Sequence, residues 1–176
     1  MGNGKFTYLD IQAVLKNLLQ EEVSIRNLSE ILETMAQFAP VTHNVWFLSE
    51  KVRERLGSQI CAQYVDQDRV MRVVTISQPL AQSILEHRFE PSDGSRPYVA
   101  FSPNEGHKWI TAVSDQMAAM KSRNMIPIIM CPAEIRPLVK NATQREMPGL
   151  VVLSVSEIAA AGSAVKLEIV GEIHND

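Results

Sequence analysis

Residues 27–40, NLSEILETMAQFAP, decide how this chain folds. Asn27 has a short side chain that can accept the first free amides of a helix, and Glu30, three positions on, can return the bond. Leu28, Ile31, Leu32, Met35 and Ala36 recur at the spacing of one helical face, while Ser29, Glu30, Glu33, Thr34 and Gln37 supply a wet side. Pro40 ends the run. A stripe this apolar needs helical neighbours, and the flanking sequence supplies them. Upstream, Gly2 to Gly4 read as a flexible lead, and Thr7 with Asp10 makes a capping box. Leu9, Ile11, Val14, Leu15, Leu18 and Leu19 then form a broad apolar face ending near Gln20. In the link EEVSIR, Val23 and Ile25 alternate with polar residues and plug the gap between helices. Downstream, Asn44 caps a third helix in which Val45, Leu48, Val52, Leu56 and Ile60 keep the period, running through Gly57 at a cost of about 1 kcal/mol. Glu50, Lys51, Arg53 and Glu54 form its outward face. The expectation is a small helical bundle over residues 1–69.

Composition changes at Asp66 to Arg69. Val70 to Ile76, VMRVVTI, is rich in β-branched residues and reads as a strand. Pro79 begins a short helix to about His87, with Leu80, Ile84 and Leu85 as its apolar side. Pro91 to Pro103 is crowded with turn formers, and Tyr98 to Phe101 within it forms a brief edge strand. Asn104 to Asn124 predicts the longest helix, carrying Trp109, Val113, Met117 and Met120. Ile126–Met130 and Leu150–Leu153 are short apolar strands, and the helical segment between them makes one βαβ unit. Pro132 suits the first turn of that helix, with Pro137 inside the first turn only if the helix starts late. Val165 to Ile169 adds a last strand. The fold class expected is α+β: a helical bundle over 1–69, then a mixed α/β subdomain over 70–176 with a short-stranded sheet. Leu56, Ile60, Leu80 and Ile84 are expected to feed an apolar seam between the two.

The formal charge of −3 divides as about −2 before Val70 and −1 after it, so no basic patch marks a nucleic-acid surface. Cys61 and Cys131 have neither a metal spacing nor a disulfide framework, which fits a reducing compartment. No run approaches membrane-spanning length, and the amino terminus lacks a secretion signal. A glycine-rich phosphate loop and an HExxH pair are both missing, and His43, His87, His107 and His174 are scattered. Cys131 stands between a strand and a helix start, where a thiol can be activated, but no histidine is placed to serve as its base. It reads instead as a small residue filling a tight corner. Asn141-Ala142-Thr143 matches the glycosylation acceptor pattern. The chain reads as a non-enzymatic module without metal or cofactor.

Two stretches carry a family resemblance. DIQAVLKNLLQEEVSIRNLSEILETMAQFAP resembles the helical segment of the large export-gate protein of type III secretion, the family shared by flagellar export systems and virulence injectisomes. IPIIMCPAEIRPLVKNATQREMPGLVVLSVSEI resembles the same family's last cytoplasmic subdomain, and VTISQPLAQSIL lies between them in the expected order. The resemblance implies the third and fourth of four cytoplasmic subdomains, here 1–69 and 70–176. It further implies a bacterial inner-membrane protein whose cytoplasmic part forms a nonameric ring and receives export substrates, chaperones and sorting proteins. The membrane half, and the two subdomains associated with chaperone docking, have no counterpart in this sequence. The continuation through Ala164 to Glu172 is similar to injectisome members. The alternatives are a free-standing protein-binding adaptor and a small hydrolase using Cys131.

Two contact surfaces are expected. A ring joins unlike faces of successive subunits, which sets Glu50, Arg53 and Glu54 of the third helix against basic positions such as Lys108, Arg123 and Arg136. Arg136 on local grounds reads as a solvated surface arginine. In the turn-rich segment, Asp93 to Arg96 form a tip and Tyr98 an anchor for a neighbouring subunit or an export partner. The competing reading has Tyr98 and Phe101 covering the sheet from its edge.

Overall fold

Thr7 opens the first helix as the spacing predicts. In the computed structural model, which describes residues 5–174, its hydroxyl accepts from Asp10 N–H and the Asp10 carboxylate accepts from Thr7 N–H. Gly2 to Gly4 lie outside the described residues. The described residues divide into two compact units. One takes the chain up to Gln63 and then Glu157–Gly162; the other takes Tyr64–Ser156 and resumes at Ser163.

The helical unit contains α1 (Tyr8–Gln20), α2 (Leu28–Phe38), α3 (Val45–Arg55) and α4 (Gly57–Ala62). Phe6 meets His43, Asn17 donates to the Ser49 hydroxyl and Glu21 approaches Arg53, so α1 and α3 run in the same direction. Phe38 meets Phe47 at one end and Asn27 meets Gln59 at the other, so α2 runs against them. Val14, Leu18, Val23, Ile31, Met35, Leu48 and Val52 are buried in this unit.

Three local expectations need correction here. Asn27 does not cap α2 with its side chain; its amide nitrogen donates to Gln59 Oε1. The buried side of α2 is turned by one position, to Ile31, Thr34 and Met35, leaving Leu28 44% and Leu32 37% exposed and Ala36 exposed. Thr34 can be buried because its hydroxyl donates to the Glu30 carbonyl one turn back, at 2.8 Å. The third helix also breaks at Leu56, which leaves helical geometry at φ −91° and ψ 14°, so Gly57 starts α4 rather than continuing α3.

The break has a steric purpose. An eighth helix, α8 (Val155–Ala161), was not anticipated from the sequence, and its residues from Glu157 onward belong to the helical unit. At Gly57 a Cβ would stand 2.4 Å from the Glu157 carbonyl oxygen and 2.7 Å from Ala160 Cβ. At Gly171, the nearest atom would be Gln116 Oε1 at 2.5 Å, the far end of a flexible side chain. Gly57→Ala should therefore cost about 1–3 kcal/mol through overpacking against backbone, whereas Gly171→Ala should cost well under that. Urea unfolding of the two variants side by side checks this; equal losses would refute the steric assignment.

The other unit is built on a four-stranded parallel sheet in the order β5-β4-β1-β6. Its strands are β1 (Val70–Ile76), β4 (Ile128–Cys131), β5 (Val151–Ser154) and β6 (Lys166–Ile173). Val74 lies opposite Ile129, and Ile129 opposite Val152. Between Val73 and Val74 the partner on β6 jumps from Ile169 to Gly171, so Val170 is an extra residue in the edge strand. α5 (Gln78–Glu86), α6 (Pro103–Ser122) and α7 (Arg136–Gln144) complete the unit. Ser77 and Ser102 cap α5 and α6 through their hydroxyls, each just ahead of a proline in the first turn. One sheet face (Val74, Ile76, Ile129, Cys131, Val152, Ile173) forms a core with Leu80 and Ile84 of α5, Trp109, Val113, Met117 and Met120 of α6, and Leu138 and Val139 of α7. Leu80 and Ile84 thus belong to this sheet core, while Leu56 and Ile60 are buried in the helical unit.

α7 starts late, at Arg136, after a turn in which Ile135 and Arg136 N–H groups both donate to the Pro132 carbonyl. Pro137 therefore falls in the first helical turn and bends nothing. β4–α7–β5 is the βαβ unit read from the sequence, with β4 and β5 parallel.

Candidate interaction surfaces

The turn-rich segment forms a separate two-stranded ribbon rather than an edge of the main sheet. β2 (Arg88–Phe89) pairs antiparallel with β3 (Tyr98–Val99), placing Phe89 opposite Tyr98. Their rings lie 5.3 Å apart and remain 48% and 40% exposed. Phe101 turns inward, 6.3 Å from the Trp109 ring and 6.0 Å from His87. Tyr98 and Phe101 therefore do different jobs: one ring is presented and the other packs. Phe89 was missed in the sequence, because it follows a short helix and carries no alternation of its own.

The loop joining the two strands is ordered by its own side chains. Asp93 Oδ1 accepts from both the N–H and the hydroxyl of Ser95, which closes an Asx turn with Gly94 at φ +80°. These bonds, led by the Ser95 hydroxyl, hold the Asp93 carboxyl below its usual range. Pro97 is buried. Arg96 reaches from the loop to α7, donating to Gln144 Oε1 at 3.0 Å. Of the tip expected over Asp93 to Arg96, Arg96 instead tethers the loop to α7 from behind.

The charged face of the third helix divides in the same way. Lys51 pairs with Glu54 at 3.4 Å and stands 5.4 Å from the centre of the Phe47 ring, and Glu50 is half-buried. Arg53 is not on that face. It is 4% exposed, with Nε 2.8 Å from Glu157 Oε1, NH2 3.3 Å from Glu157 Oε2, and Glu21 on its other side at 3.7 Å. A cation can be buried when carboxylates surround it, and its principal partner arrives 104 positions later.

Among the basic positions, Lys108 and Arg123 are exposed. They lie near opposite ends of α6, on the order of 20 Å apart at 1.5 Å per residue. Arg136 is 1% exposed, and its guanidinium donates to the Val152 carbonyl at 3.1 Å. It braces α7 against β5 and is not a surface residue. Lys140 is buried nearby and donates to the Pro148 and Leu150 carbonyls. Both cations are internal because loop and strand carbonyls surround them, a feature invisible in local sequence.

The link after α1 borders a cleft of about 730 Å³ lined by Leu19, Val23, Arg26, Asn27, Gln59 and Gln63. Val23 does plug the helix junction, as expected. Thr143 of the glycosylation pattern is fully buried, its hydroxyl donating to the Val139 and Lys140 carbonyls. Cys131 fills the corner between β4 and the turn into α7. Cys61 is also buried, and burial, with the Glu157 charge adding, pushes its thiol up to about 11. Among the described residues, no group of three His, Cys, Asp or Glu side chains could hold a metal ion, and no helix is long and apolar enough to cross a membrane.

The aromatic ribbon thus lies on one unit and the charged helix face on the other. The FHIPEP family model matches residues 2–162, and the chain belongs to that family. It is 35% identical over 153 residues to the flagellar biosynthesis protein FlhA of Borreliella burgdorferi, covering 87% of this chain and 22% of that protein. The fold matches the structure of the Shigella flexneri MxiA protein with a TM-score of 0.81 at 23% identity, over 96% of this chain and 52% of that one. It also matches a nonameric EPEC SctV-C structure with a TM-score of 0.74 at 26% identity, over 93% of this chain and 48% of that one. The chain thus spans about half the length of these solved structures and about a fifth of the flagellar relative.

Proposed function

We propose that this chain is part of the cytoplasmic portion of a type III secretion export gate, a non-enzymatic scaffold that assembles with copies of itself and receives export partners. The observation that carries the reading is the match over nearly the whole chain, helical unit and α/β unit together, to a protein solved as a nonamer. The proposal is made for the family as a whole, because sequence likeness runs to a flagellar protein while fold likeness runs to MxiA and SctV-C. In this reading the gate is anchored in the bacterial inner membrane by a segment outside this sequence.

The ribbon is assigned the contact with a neighbouring subunit or an incoming partner: Phe89 and Tyr98 provide the apolar surface, and Asp93 provides the charged tip. Glu50 and Glu54 on one copy, with Lys108 and Arg123 on the next, form the rim of the subunit contact. Rim pairs contribute only about 0–1 kcal/mol each, so the 176-residue chain should sediment as a monomer at micromolar concentration. The decisive experiment places Asp93→Ala with Arg96→Ala in a gate that contains this segment. The tip charge is exposed and its removal loosens only the Asx turn, and loss of the Arg96 tether should cost about 1 kcal/mol. Secretion should fall while the melting temperature stays within a few degrees. Normal secretion at normal stability would remove the ribbon from the working surface, and secretion unaffected by deleting the whole segment would end the export-gate reading.

A further inference from the structure

The segment leading from β5 into the helical unit is held there by very few apolar contacts. In α8 the buried residues are Glu157, Ile158 and Ala161, while Val155, Ala159 and Ala160 are exposed. The helix runs straight into a 3-10 turn over Gly162–Ala164, whose Gly162 has φ +55°. Ile158 and Ala161 are a small apolar foothold for an element placed so far along the chain.

The rest of the attachment is polar and steric, and it centres on one residue. The Glu157 carboxylate takes two bonds from the Arg53 guanidinium, at 2.8 and 3.3 Å. The Glu157 carbonyl lies over Gly57 where a side chain would block it, and it is 3.8 Å from the Cys61 sulfur. Ser58 donates to the Ala160 carbonyl at 3.4 Å. A buried ion pair fixes geometry more than it adds stability, because both ions have lost their water. Removal of one ion from such a pair usually strands the other. Arg53 is spared this, because Glu21 of α1 sits 3.7 Å from its other nitrogen and is itself partly exposed. The guanidinium keeps a carboxylate whether or not Glu157 is present.

We propose that α8 is a releasable strap, clasped by Arg53 and Glu157, that leaves the helical unit as one piece while both cores stay folded. Arg53 exchanges a two-carboxylate site for Glu21 and water, and the Glu157 carboxylate regains solvent. Val155 at one end and Gly162 at the other are the exposed positions about which the strap turns. This inference rests on the local geometry alone and holds whether or not the chain serves an export gate.

Cys61 reports the motion. It is fully buried beside the Glu157 carbonyl, so strap release uncovers it, whereas Cys131 lies in the other unit's sheet. The test treats the intact chain with N-ethylmaleimide at constant pH over low urea concentrations, and peptide mass spectrometry follows each cysteine separately. A strap exposes little surface, so its opening responds weakly to urea, whereas unfolding of a whole unit responds steeply. The expected result is Cys61 labelling that is faster than Cys131 labelling and nearly flat in low urea. Glu157→Gln should accelerate Cys61 at least tenfold, keep the flat dependence and leave Cys131 unchanged. Arg53→Met with Glu157→Leu, an apolar replacement of the pair, should restore protection. Cys61 labelling in the parent chain that rises as steeply with urea as global unfolding would overturn the strap, whatever the variants do. Equal labelling in Glu157→Gln and the parent, or no recovery in the double replacement, would overturn the clasp.

Discussion

Trp109→Ala should lower the unfolding free energy by about 3–5 kcal/mol, the usual cost of emptying a buried aromatic site. Trp109 is 2% exposed and stands where α5, α6 and α7 converge on the sheet. Its indole N–H donates to the Ala142 carbonyl at 3.2 Å, so truncation opens a cavity and also removes a donor from α7. Phe101, against the ring edge, is well placed to lean in, yet it cannot fill the volume of an indole. Urea unfolding followed by circular dichroism gives the loss directly. A decrease below about 1 kcal/mol would mean that the three helices do not share this core. Trp109→Phe should recover most of the loss, because the ring volume returns and only the hydrogen bond stays missing.

The second large effect separates two adjacent residues of α2. Ile31→Ala should cost about 2–5 kcal/mol, the range for a buried aliphatic truncated to alanine. Leu32→Ala should cost less than about 1 kcal/mol, since its side chain already keeps much of its contact with water. The pair tests the orientation of the helix rather than its existence. The spacing of Leu28, Ile31, Leu32, Met35 and Ala36 made both leucines core residues, whereas the helix is turned so that Thr34 faces inward. Similar losses from Ile31→Ala and Leu32→Ala would restore the orientation expected from hydropathy and displace the one described here.

This offset marks the boundary between what could be read and what could not. Patterns that depend on backbone chemistry within a few residues were legible. VMRVVTI is β1 to the residue, Thr7 and Asp10 form the expected box, and Trp109, Val113, Met117 and Met120 are the buried side of α6. Features that depend on a distant partner were not. Arg53 reads as a surface cation because Glu157 lies 104 residues away, and Arg136 because its acceptor is a β5 carbonyl. Thr34 reads as polar because hydropathy does not credit a hydroxyl satisfied by its own helix. α8 was missed although Ser154 and Glu157 have the spacing of a capping box and Gly162 follows its end, because its seven residues carry no long apolar stripe; its helical state is supported by Gly57 and Arg53 in another element. Among the contact candidates, Asp93, Tyr98, Lys108 and Arg123 are exposed and Glu50 and Glu54 half-buried, whereas Arg53 and Arg136 serve the interior.

The late arrival of Glu157 also sets an order of events during synthesis. A ribosome adds roughly 5–20 residues per second, so the 104 positions between Arg53 and Glu157 correspond to a delay of roughly 5–20 s. Through that interval the nascent helices can collapse on Ile31, Met35, Leu48 and Val52, with Glu21 the carboxylate already at hand for Arg53. The groove over Gly57 stays open until α8 emerges. By then β1, β4 and β5 have been made, and only β6 is still to come. The helical unit, begun before the sheet, is therefore completed only after most of the sheet has been made, and a chain stopped between Gln63 and Ser156 lacks the segment that lies over Gly57 and beside Cys61.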